Sequence, residues 1–430
     1  MEKEEVQGYS IEEAVAEARR CLNCPKPLCR TGCPIENEIP AFNHAVSVGN
    51  FGEAFEIVSR RSNLPAICGR VCPHESQCEG HCVLYKSGKG IKIGMIERFI
   101  ADFEAEAKFA KDAKIAKTGG KVAVIGSGPA GLTVAGDLAR KGYDVTVYEG
   151  ESEPGGVLLY GIPEFRLPKD VVRRTTAKIK ELGVQFITDT MVGEDITVEE
   201  MLANGFDAVF IGTGTALAKS LDLPGKDLAG VLQSNYLLRM VRLYQDGNVE
   251  KDDVPVKEGD QVVVIGAGNV AMDACRTAIR MKAAKVTVAY RKTEEFMRAA
   301  RAEYDGAIKD GVEFKWEHAP VEFLGENGRV TGLKCQTPSG EVVIPANKVL
   351  LAIGSRPAAR ILSTTQGIDA DESGYVVTKQ KPYGMTSRRG IFAGGDVVHK
   401  PATVVLAMRE AKKVAVGIAD FIEAKKLLGE

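Results

Sequence analysis

The chain has 430 residues, of which 44% are hydrophobic and 27% charged, a composition typical of a globular protein with two to four domains. Its formal net charge is −2, so no basic excess supports a nucleic-acid partner or binding to an anionic membrane. No apolar run reaches the ~18 residues of a membrane span, and residues 1–5 are too acidic for a signal peptide, so we expect a cytoplasmic protein without membrane contact.

The first 118 residues are predicted to be helical, because they lack the alternating apolar strands of an α/β domain. Ser10 is a candidate N-cap, with Glu13 as its partner in a capping box, for a helix that runs to Arg20. Further helices are predicted over residues 36–48, 51–59 and 93–116. Gly119 and Gly120 then mark the end of this region.

Eight of the ten cysteines lie in this helical region, in two dense groups with the spacings C-x2-C-x4-C-x3-C-P and C-x3-C-P-x4-C-x3-C. They are Cys21, Cys24, Cys29, Cys33, Cys68, Cys72, Cys78 and Cys82. A cytoplasmic setting disfavours disulfides, and a zinc site usually pairs two cysteine knuckles across a longer loop. Dense spacing that ends in Cys-Pro is typical of iron–sulfur ligation, so we predict two 4Fe–4S clusters. By count alone, the eight thiolates divide into two sets of four, whereas Cys275 and Cys335 are expected to be core residues.

Two βαβ units follow the helical region, about 140 residues apart. In the first, a strand over residues 121–125 leads into Gly126-Ser-Gly-Pro-Ala-Gly131, a helix to Arg140 and a strand over 144–148. In the second, a strand over 261–265 leads into Gly266-Ala-Gly-Asn-Val-Ala271, a helix to Met281 and a strand over 285–290. Strands that end near Gly212 and Gly354 suit crossings between two domains. Each glycine-rich turn therefore has the strand-to-helix setting of a dinucleotide site.

The residue after the second strand distinguishes the two nucleotide sites. Glu149 stands where a carboxylate binds the adenosine ribose, which suits FAD or NAD, whereas Arg291 and Lys292 favour the 2′-phosphate of NADP over NAD. Near the C-terminus, a Gly-Gly-Asp turn and a following helix suit a flavin. The predicted residues of the first site are Gly126, Gly128, Pro129, Ala130, Gly131, Glu149, Gly156, Gly395, Asp396, Thr403 and Val404. Those of the second site are Gly266, Gly268, Asn269, Val270, Ala271, Arg291 and Lys292. No acid–base or nucleophilic residue is predicted.

Several of these motifs resemble those of the glutamate synthase small-subunit family, over essentially the whole chain. The most specific are residues 20–25 (RCLNCP), 68–73 (CGRVCP), 162–168 (IPEFRLP), 268–273 (GNVAMD) and 393–396 (AGGD). The chain is more similar still to the large subunit of the NADH-dependent reduced ferredoxin:NADP oxidoreductases. The resemblance implies an α/β protein with a helical iron–sulfur module and two Rossmann-like domains. It implies bounds of 1–118 for the module, 119–255 and 346–430 for an FAD domain, and 256–345 for an inserted NADP domain.

The resemblance also implies how the clusters are held and what the protein does. Cys21, Cys24, Cys29 and Cys82 would hold one cluster, and Cys33, Cys72, Cys78 and Glu97 the other, which leaves Cys68 without a ligand role. NADP(H) would exchange hydride with FAD, and single electrons would pass through the clusters to ferredoxin or to a small flavin and iron–sulfur subunit of a hetero-oligomer. Two alternatives stay open: a small subunit of NADPH-dependent glutamate synthase, and a non-catalytic assembly subunit.

Overall fold

The structure, a computed structural model, describes residues 4–108, 115–117 and 119–429. These residues form two compact units, and one unit is inserted in the sequence of the other. The inserted unit comprises Tyr160–Pro163 and Leu217–Ser355. The main unit comprises the described residues up to Leu159, then Glu164–Ala216, and then the chain from Arg356 onward. No helix in the described part of the chain is long and apolar enough to cross a membrane.

The N-terminal part of the main unit is helical. Its helices are α1 (Ile11–Arg19), α2 (Leu28–Gly32), α3 (Ile39–Ser47), α4 (Phe51–Arg61), α5 (Pro65–Val71) and α6 (Ile93–Ala107). The predicted capping box is present, because the Ser10 hydroxyl accepts from the Glu13 N–H and the Glu13 carboxylate accepts from the Ser10 N–H. Buried apolar side chains from α1, α3, α4 and α6 form one core under the cysteine loops.

Two of the helix predictions here were wrong at one end. The helix predicted over 36–48 begins at Ile39, since Glu36 has a left-handed φ of 51° and Pro40 fits only a first helical turn. The helix predicted over 93–116 ends at Ala107, where Lys108 takes a left-handed φ of 50°. Residues 106–108 are exposed, so a further turn gains no packing, and propensity alone does not hold a helix in water. Residues 109–114 of that prediction lie outside the described part of the chain.

The rest of the main unit is built on a five-stranded parallel sheet. Elements are numbered along the chain, and its strands are β1 (Lys121–Ile125), β2 (Asp144–Tyr148), β3 (Gln185–Ile187), β4 (Ala208–Ile211) and β15 (Ile391–Ala393). The order is β15-β4-β1-β2-β3, with every neighbour parallel. Its helices are α7 (Pro129–Arg140), α8 (Val157–Tyr160), α9 (Lys169–Glu181), α10 (Val198–Ala203), α14 (Arg360–Thr364) and α15 (Val404–Leu427). Four of the five β1 residues are buried, as expected for a parallel strand covered on both faces.

The inserted unit has a second five-stranded parallel sheet, of order β6-β13-β7-β8-β9. These strands are β6 (Val231–Gln233), β7 (Gln261–Ile265), β8 (Lys285–Tyr290), β9 (Glu313–Trp316) and β13 (Lys348–Leu351), and the helices are α11 (Ser234–Gln245), α12 (Asn269–Arg280) and α13 (Arg301–Lys309). An antiparallel sheet adds β10 (Ala319–Glu326), β11 (Arg329–Thr337) and β12 (Gly340–Pro345). The short strands β5 (Leu217–Ala218) and β14 (Ser355–Arg356) pair where the chain enters and leaves this unit.

In both parallel sheets the chain moves from the strand before the glycine-rich turn toward one edge of the sheet, and later returns to pair on the other side of that strand. β1 lies between β2 and β4, and β7 lies between β8 and β13. Such reversals open a crevice at the carboxyl ends of the strands, where nucleotides bind in this class of fold. The predicted fold class, a helical module followed by two Rossmann-like units with one inserted in the other, is confirmed.

Candidate functional site

Four cysteines, drawn from both sequence groups, gather at one cavity of the helical part. Cys21 and Cys24 lie in the loop after α1, Cys29 lies on α2, and Cys82 lies in the turns before α6; all four line this cavity. Burial raises the pKa of Cys29 to about 11, with further contributions from the nearby Cys21, Cys82 and Cys24 thiols. A thiol ligand must lose its proton, so these thiols need a bound cation to stabilise their charge.

Three other cysteines, Cys33, Cys72 and Cys78, lie around a buried carboxyl. Burial raises the pKa of Cys33 to about 12 and that of Cys78 well above its usual range, and the carboxylate of Glu97 acts on both in the same direction. Glu97 lies on α6 and is only 7% exposed, and burial raises its pKa to about 8. Its Oε1 atom has no hydrogen-bond partner among the described residues. An unpartnered buried carboxyl oxygen beside thiols is an arrangement that a metal centre would satisfy.

Cys68, the eighth cysteine of the region, lies next to these three thiols. It is buried at the middle of α5, and its thiol donates to Met408 Sδ on α15 at 3.6 Å. The backbone N–H of Cys72 donates to the Cys68 carbonyl at 3.2 Å, and the Cys68 side chain, followed by burial, raises the pKa of Cys72 well above its usual range. No set of three or more His, Cys, Asp or Glu side chains in the described ranges is close enough to hold a single metal ion. The cysteines thus form two neighbourhoods rather than compact single-ion sites.

The first glycine-rich turn joins β1 to α7 in the main unit. Gly126 has a φ of 91°, and a Cβ on Gly131 would overlap the Gly126 carbonyl oxygen. Around Gly128, by contrast, a Cβ would meet no atom within 4 Å. The turn is therefore closed on its protein side and open above Gly128, at the N-terminus of α7, which is the geometry that lets a pyrophosphate approach backbone amides.

Glu149 follows β2 and faces this turn. Its Oε2 accepts from the backbone N–H of Ser127 at 2.9 Å and from the Ser127 hydroxyl, and its Oε1 accepts from the Glu151 N–H at 3.0 Å. Gly156, with a φ of 53°, packs close to Gly128. Ser127 was not predicted as a site residue, because it stands at a position of the motif that accepts any residue. Its N–H and hydroxyl hold the Glu149 carboxylate, which is predicted to bind the ribose.

Residues from the C-terminal part of the main unit also lie against this turn. Gly395 follows β15 with a φ of 75°, and a Cβ there would lie 2.7 Å from the Cβ of Ala130, at the start of α7. Burial raises the pKa of the neighbouring Asp396 to about 6. Thr403 caps α15, since its hydroxyl accepts from the Leu406 N–H at 3.4 Å, and Val404 is the first residue of that helix. The main unit therefore brings the predicted residues Gly395 and Ala130 together beside the turn.

The second glycine-rich turn joins β7 to α12 in the inserted unit and repeats the design of the first. Gly266 has a φ of 125°, and a Cβ there would overlap the Ala352 carbonyl oxygen, whereas a Cβ on Gly268 would meet no atom within 4 Å. Asn269 begins α12, and its side-chain oxygen accepts from the Ala300 N–H at 3.0 Å. Of the next two residues, Val270 is exposed and Ala271 is buried.

The basic end of the second site follows β8. Arg291 and Lys292 are exposed there, and the Lys292 ammonium lies 5.0 Å from the centre of the Phe296 ring. Glu294, whose negative charge would repel a phosphate, is paired with Arg301 at 2.8 Å. The backbone N–H of Arg298 donates to the Ala267 carbonyl at 3.0 Å, which brings Arg298 beside the glycine-rich turn. A backbone contact of this kind leaves no sequence pattern, so Arg298 was not predicted as a site residue.

Comparisons with known protein families divide the chain at the same place as its sequence motifs. Residues 1–109 match the family model described as dihydropyrimidine dehydrogenase domain II, 4Fe-4S cluster. Residues 120–411 match the model described as pyridine nucleotide-disulphide oxidoreductase. The cysteine groups thus fall in an iron–sulfur family model, and both glycine-rich turns fall in an oxidoreductase model.

Individual relatives extend over nearly the whole chain. A glutamate synthase [NADPH] small chain of Halomonas elongata is 38% identical, over 97% of this chain and 92% of that protein. The NADPH-Fe(3+) oxidoreductase subunit beta of Geobacter sulfurreducens is 33% identical, over 93% of this chain and 64% of that protein. Among solved structures, the FprA protein of Mycobacterium tuberculosis matches 72% of this chain and 86% of its own, with a TM-score of 0.60 at 17% identity, which shows a shared fold.

Proposed function

Because the chain belongs to the glutamate synthase small-subunit family, we propose that it passes electrons from NADPH through FAD and two 4Fe–4S clusters to a partner protein. It is an NADP-dependent flavin and iron–sulfur oxidoreductase. The observation that carries the proposal is that one compact unit holds both cysteine groups and the first glycine-rich turn. When bound, FAD takes a hydride from NADPH and releases its two electrons one at a time, while a proton goes to solvent.

The chain's own residues supply binding and placement. In the main unit, the amides at the start of α7 would bind the FAD pyrophosphate, Glu149 its ribose, and Asp396 a ribityl hydroxyl. In the inserted unit, the Gly266–Ala271 turn would bind the NADP pyrophosphate, with Arg291 and Lys292 on the 2′-phosphate. The proposed FAD domain is 119–255 and 346–430, and the proposed NADP domain is 256–345. The inserted compact unit contains that whole segment and begins earlier.

Two donor sets are proposed for the clusters. Cys21, Cys24, Cys29 and Cys82 form the first set, and their common cavity supports it. Cys33, Cys72, Cys78 and Glu97 form the second, and the unpartnered Glu97 oxygen supports that one. A carboxylate is a harder ligand than a thiolate, so the two clusters should differ in potential.

The partner is proposed to dock beside the first set. Leu22, Leu28 and Val83 line this cavity and are 61%, 52% and 49% exposed. Residues 19–35 and 83–96, which contain most of the cavity lining, include seven basic residues and no acidic ones: Arg19, Arg20, Lys26, Arg30, Lys86, Lys89 and Lys92. Two of these are paired, Arg20 with Glu17 and Lys92 with Glu79, and the other five carry the excess positive charge. An apolar centre with a basic rim fits an acidic electron carrier, such as a ferredoxin or a small flavin and iron–sulfur subunit. We also propose a cytoplasmic location, where thiols stay reduced.

A glutamate synthase large subunit is the second candidate partner. It is favoured by the Halomonas relative, whose length this chain covers almost entirely. Purification of the chain from its own cells under mild conditions would distinguish the two. A very large co-purifying subunit with glutaminase activity selects glutamate synthase, and a small iron–sulfur flavoprotein selects the transhydrogenase-like complex.

The number and nature of the clusters is tested by metal analysis of anaerobically purified chain. We expect about eight iron atoms and eight acid-labile sulfides per chain, from two 4Fe–4S clusters. A Cys24→Ser and a Cys78→Ser variant should each lose about half of the iron, from different sets. About four iron atoms in the parent chain, or zinc in place of iron, would contradict the proposal.

A further inference from the structure

The buried contact between Cys68 and Met408 joins two distant parts of the chain. Cys68 lies on α5 and Met408 on α15, 340 positions apart, and both side chains are almost fully buried. The thiol donates to the thioether sulfur at 3.6 Å, and the Ser62 hydroxyl lies 4.0 Å from the same thiol. Two polarisable sulfur atoms therefore meet in a buried contact between these helices.

Each of the two residues is one helical turn from a proposed cofactor residue. Cys68 stands four positions before Cys72, whose backbone N–H donates to the Cys68 carbonyl at 3.2 Å. Met408 stands four positions after Val404, so the two share one face of α15 near the N-terminus that we assign to the flavin. These residues form a row from the proposed flavin site to the second donor set: Val404, Met408, Cys68 and Cys72. All four lie within the main unit.

The packing around the contact fixes it in place. A Cβ on Gly69, the residue after Cys68, would lie 2.6 Å from the backbone nitrogen of Arg98 on α6. Helix α5 therefore approaches the backbone of the helix that carries Glu97. Asn63, just before α5, donates to the Asp137 carboxylate on α7 at 2.8 Å, and Lys412 on α15 donates to the same carboxylate. Helix α5 is thus held between the ligand helix α6 and the flavin-side helices α7 and α15.

We propose that Cys68 and Met408 are positioning residues for electron transfer: their contact couples the flavin side of the main unit to the second cluster and sets the potential of that cluster. The inference rests on the proposed function. One electron crosses at a time from reduced flavin to the oxidised cluster, NADPH being the reductant and the partner protein the final oxidant. No bond of Cys68 or Met408 forms or breaks. The surroundings of a ligand sulfur are known to move cluster potentials, and Cys68 lies one helical turn from the proposed ligand Cys72.

The test compares Cys68→Ala and Met408→Leu with the parent chain. Met408→Leu conserves volume in a buried helix, so folding should survive it even if Cys68→Ala is poorly tolerated. Matched controls are Met201→Leu and Cys335→Ala, two equally buried positions outside the row. The readouts are iron content, EPR-monitored reduction potentials of the two clusters, and stopped-flow rates after mixing with NADPH.

We expect both variants to keep their iron and their rate of flavin bleaching, and to reduce the second cluster about fivefold more slowly than the controls. The potential of one cluster should shift in Cys68→Ala, while that of the other stays. Potentials and rates that match the controls would overturn the inference. Loss of half the iron in Cys68→Ala would also overturn it, because Cys68 would then be a ligand. A parent chain whose flavin is not bleached by NADPH would instead refute the proposed function.

Discussion

Two glycine-to-alanine substitutions in the first glycine-rich turn should have different effects, one on stability and the other on flavin binding. Gly131→Ala places a Cβ over the Gly126 carbonyl oxygen, so α7 must move away from β1. Overpacking of this kind costs about 1–3 kcal/mol, and the better helix propensity of alanine returns less than about 1 kcal/mol. Gly128→Ala meets no atom within 4 Å and keeps a φ of −69°, so the folded chain accommodates it. Its methyl group instead occupies the space that we assign to the pyrophosphate.

The assay separates stability from cofactor binding. For Gly131→Ala, we expect the thermal midpoint of the flavin-free chain to fall by roughly 1–5 °C, because the main unit is large. For Gly128→Ala, we expect an unchanged midpoint of the flavin-free chain and a flavin Kd at least about tenfold higher, by fluorescence titration. If Gly128→Ala binds flavin as tightly as the parent, the pyrophosphate does not lie over this turn. If Gly131→Ala keeps the parent midpoint, the close contact at α7 is refuted.

Three further substitutions test the rest of the account. The double variant Arg291→Ser with Lys292→Ser should raise the KM for NADPH about tenfold or more and leave that for NADH unchanged; equal changes would refute the 2′-phosphate assignment. Arg276→Met should lower the free energy of unfolding of the inserted unit by about 3 kcal/mol in urea, because Arg276 is 2% exposed and its Nε pairs with Asp310 at 2.9 Å; an unchanged urea midpoint would contradict this. Burial raises the pKa of Asp396 to about 6, above its usual value near 4, so the folded chain favours the protonated carboxyl. The contribution of this carboxyl to the free energy of unfolding is therefore lost as the pH rises from about 4 to about 6. In flavin-free chain, Asp396→Asn should therefore gain up to about 2 kcal/mol over the parent between pH 4.5 and pH 7; a constant difference would refute it.

The sequence predicted the elements whose cause is local. The capping box at Ser10 depends on two residues three positions apart, and both glycine-rich turns depend on motifs of six. The antiparallel sheet of β10, β11 and β12 was not predicted, although β11 alone has nine residues. Its strands carry mixed burial patterns rather than strict alternation, so a period of two is hard to see along them.

The missed or misplaced features depend on distant partners. The end of α6 at Ala107 depends on where packing stops, because the Ala and Lys residues beyond it favour a helix by propensity. The contact of Cys68 with Met408 joins positions 340 residues apart, and the Arg298 backbone contact has no side-chain signature. The even count of eight cysteines suggested two all-thiolate sets. The family resemblance instead implied the mixed set with Glu97, and the unpartnered oxygen of Glu97 supports that set.

The central claim is that electrons from NADPH reach iron–sulfur clusters within this single chain. Anaerobic titration of the purified chain with NADPH, followed by visible absorbance and low-temperature EPR, tests it most directly. We expect bleaching of the flavin to be accompanied by EPR signals of reduced 4Fe–4S clusters, without any partner present. Flavin that bleaches while the clusters stay oxidised, although dithionite reduces them, would contradict it.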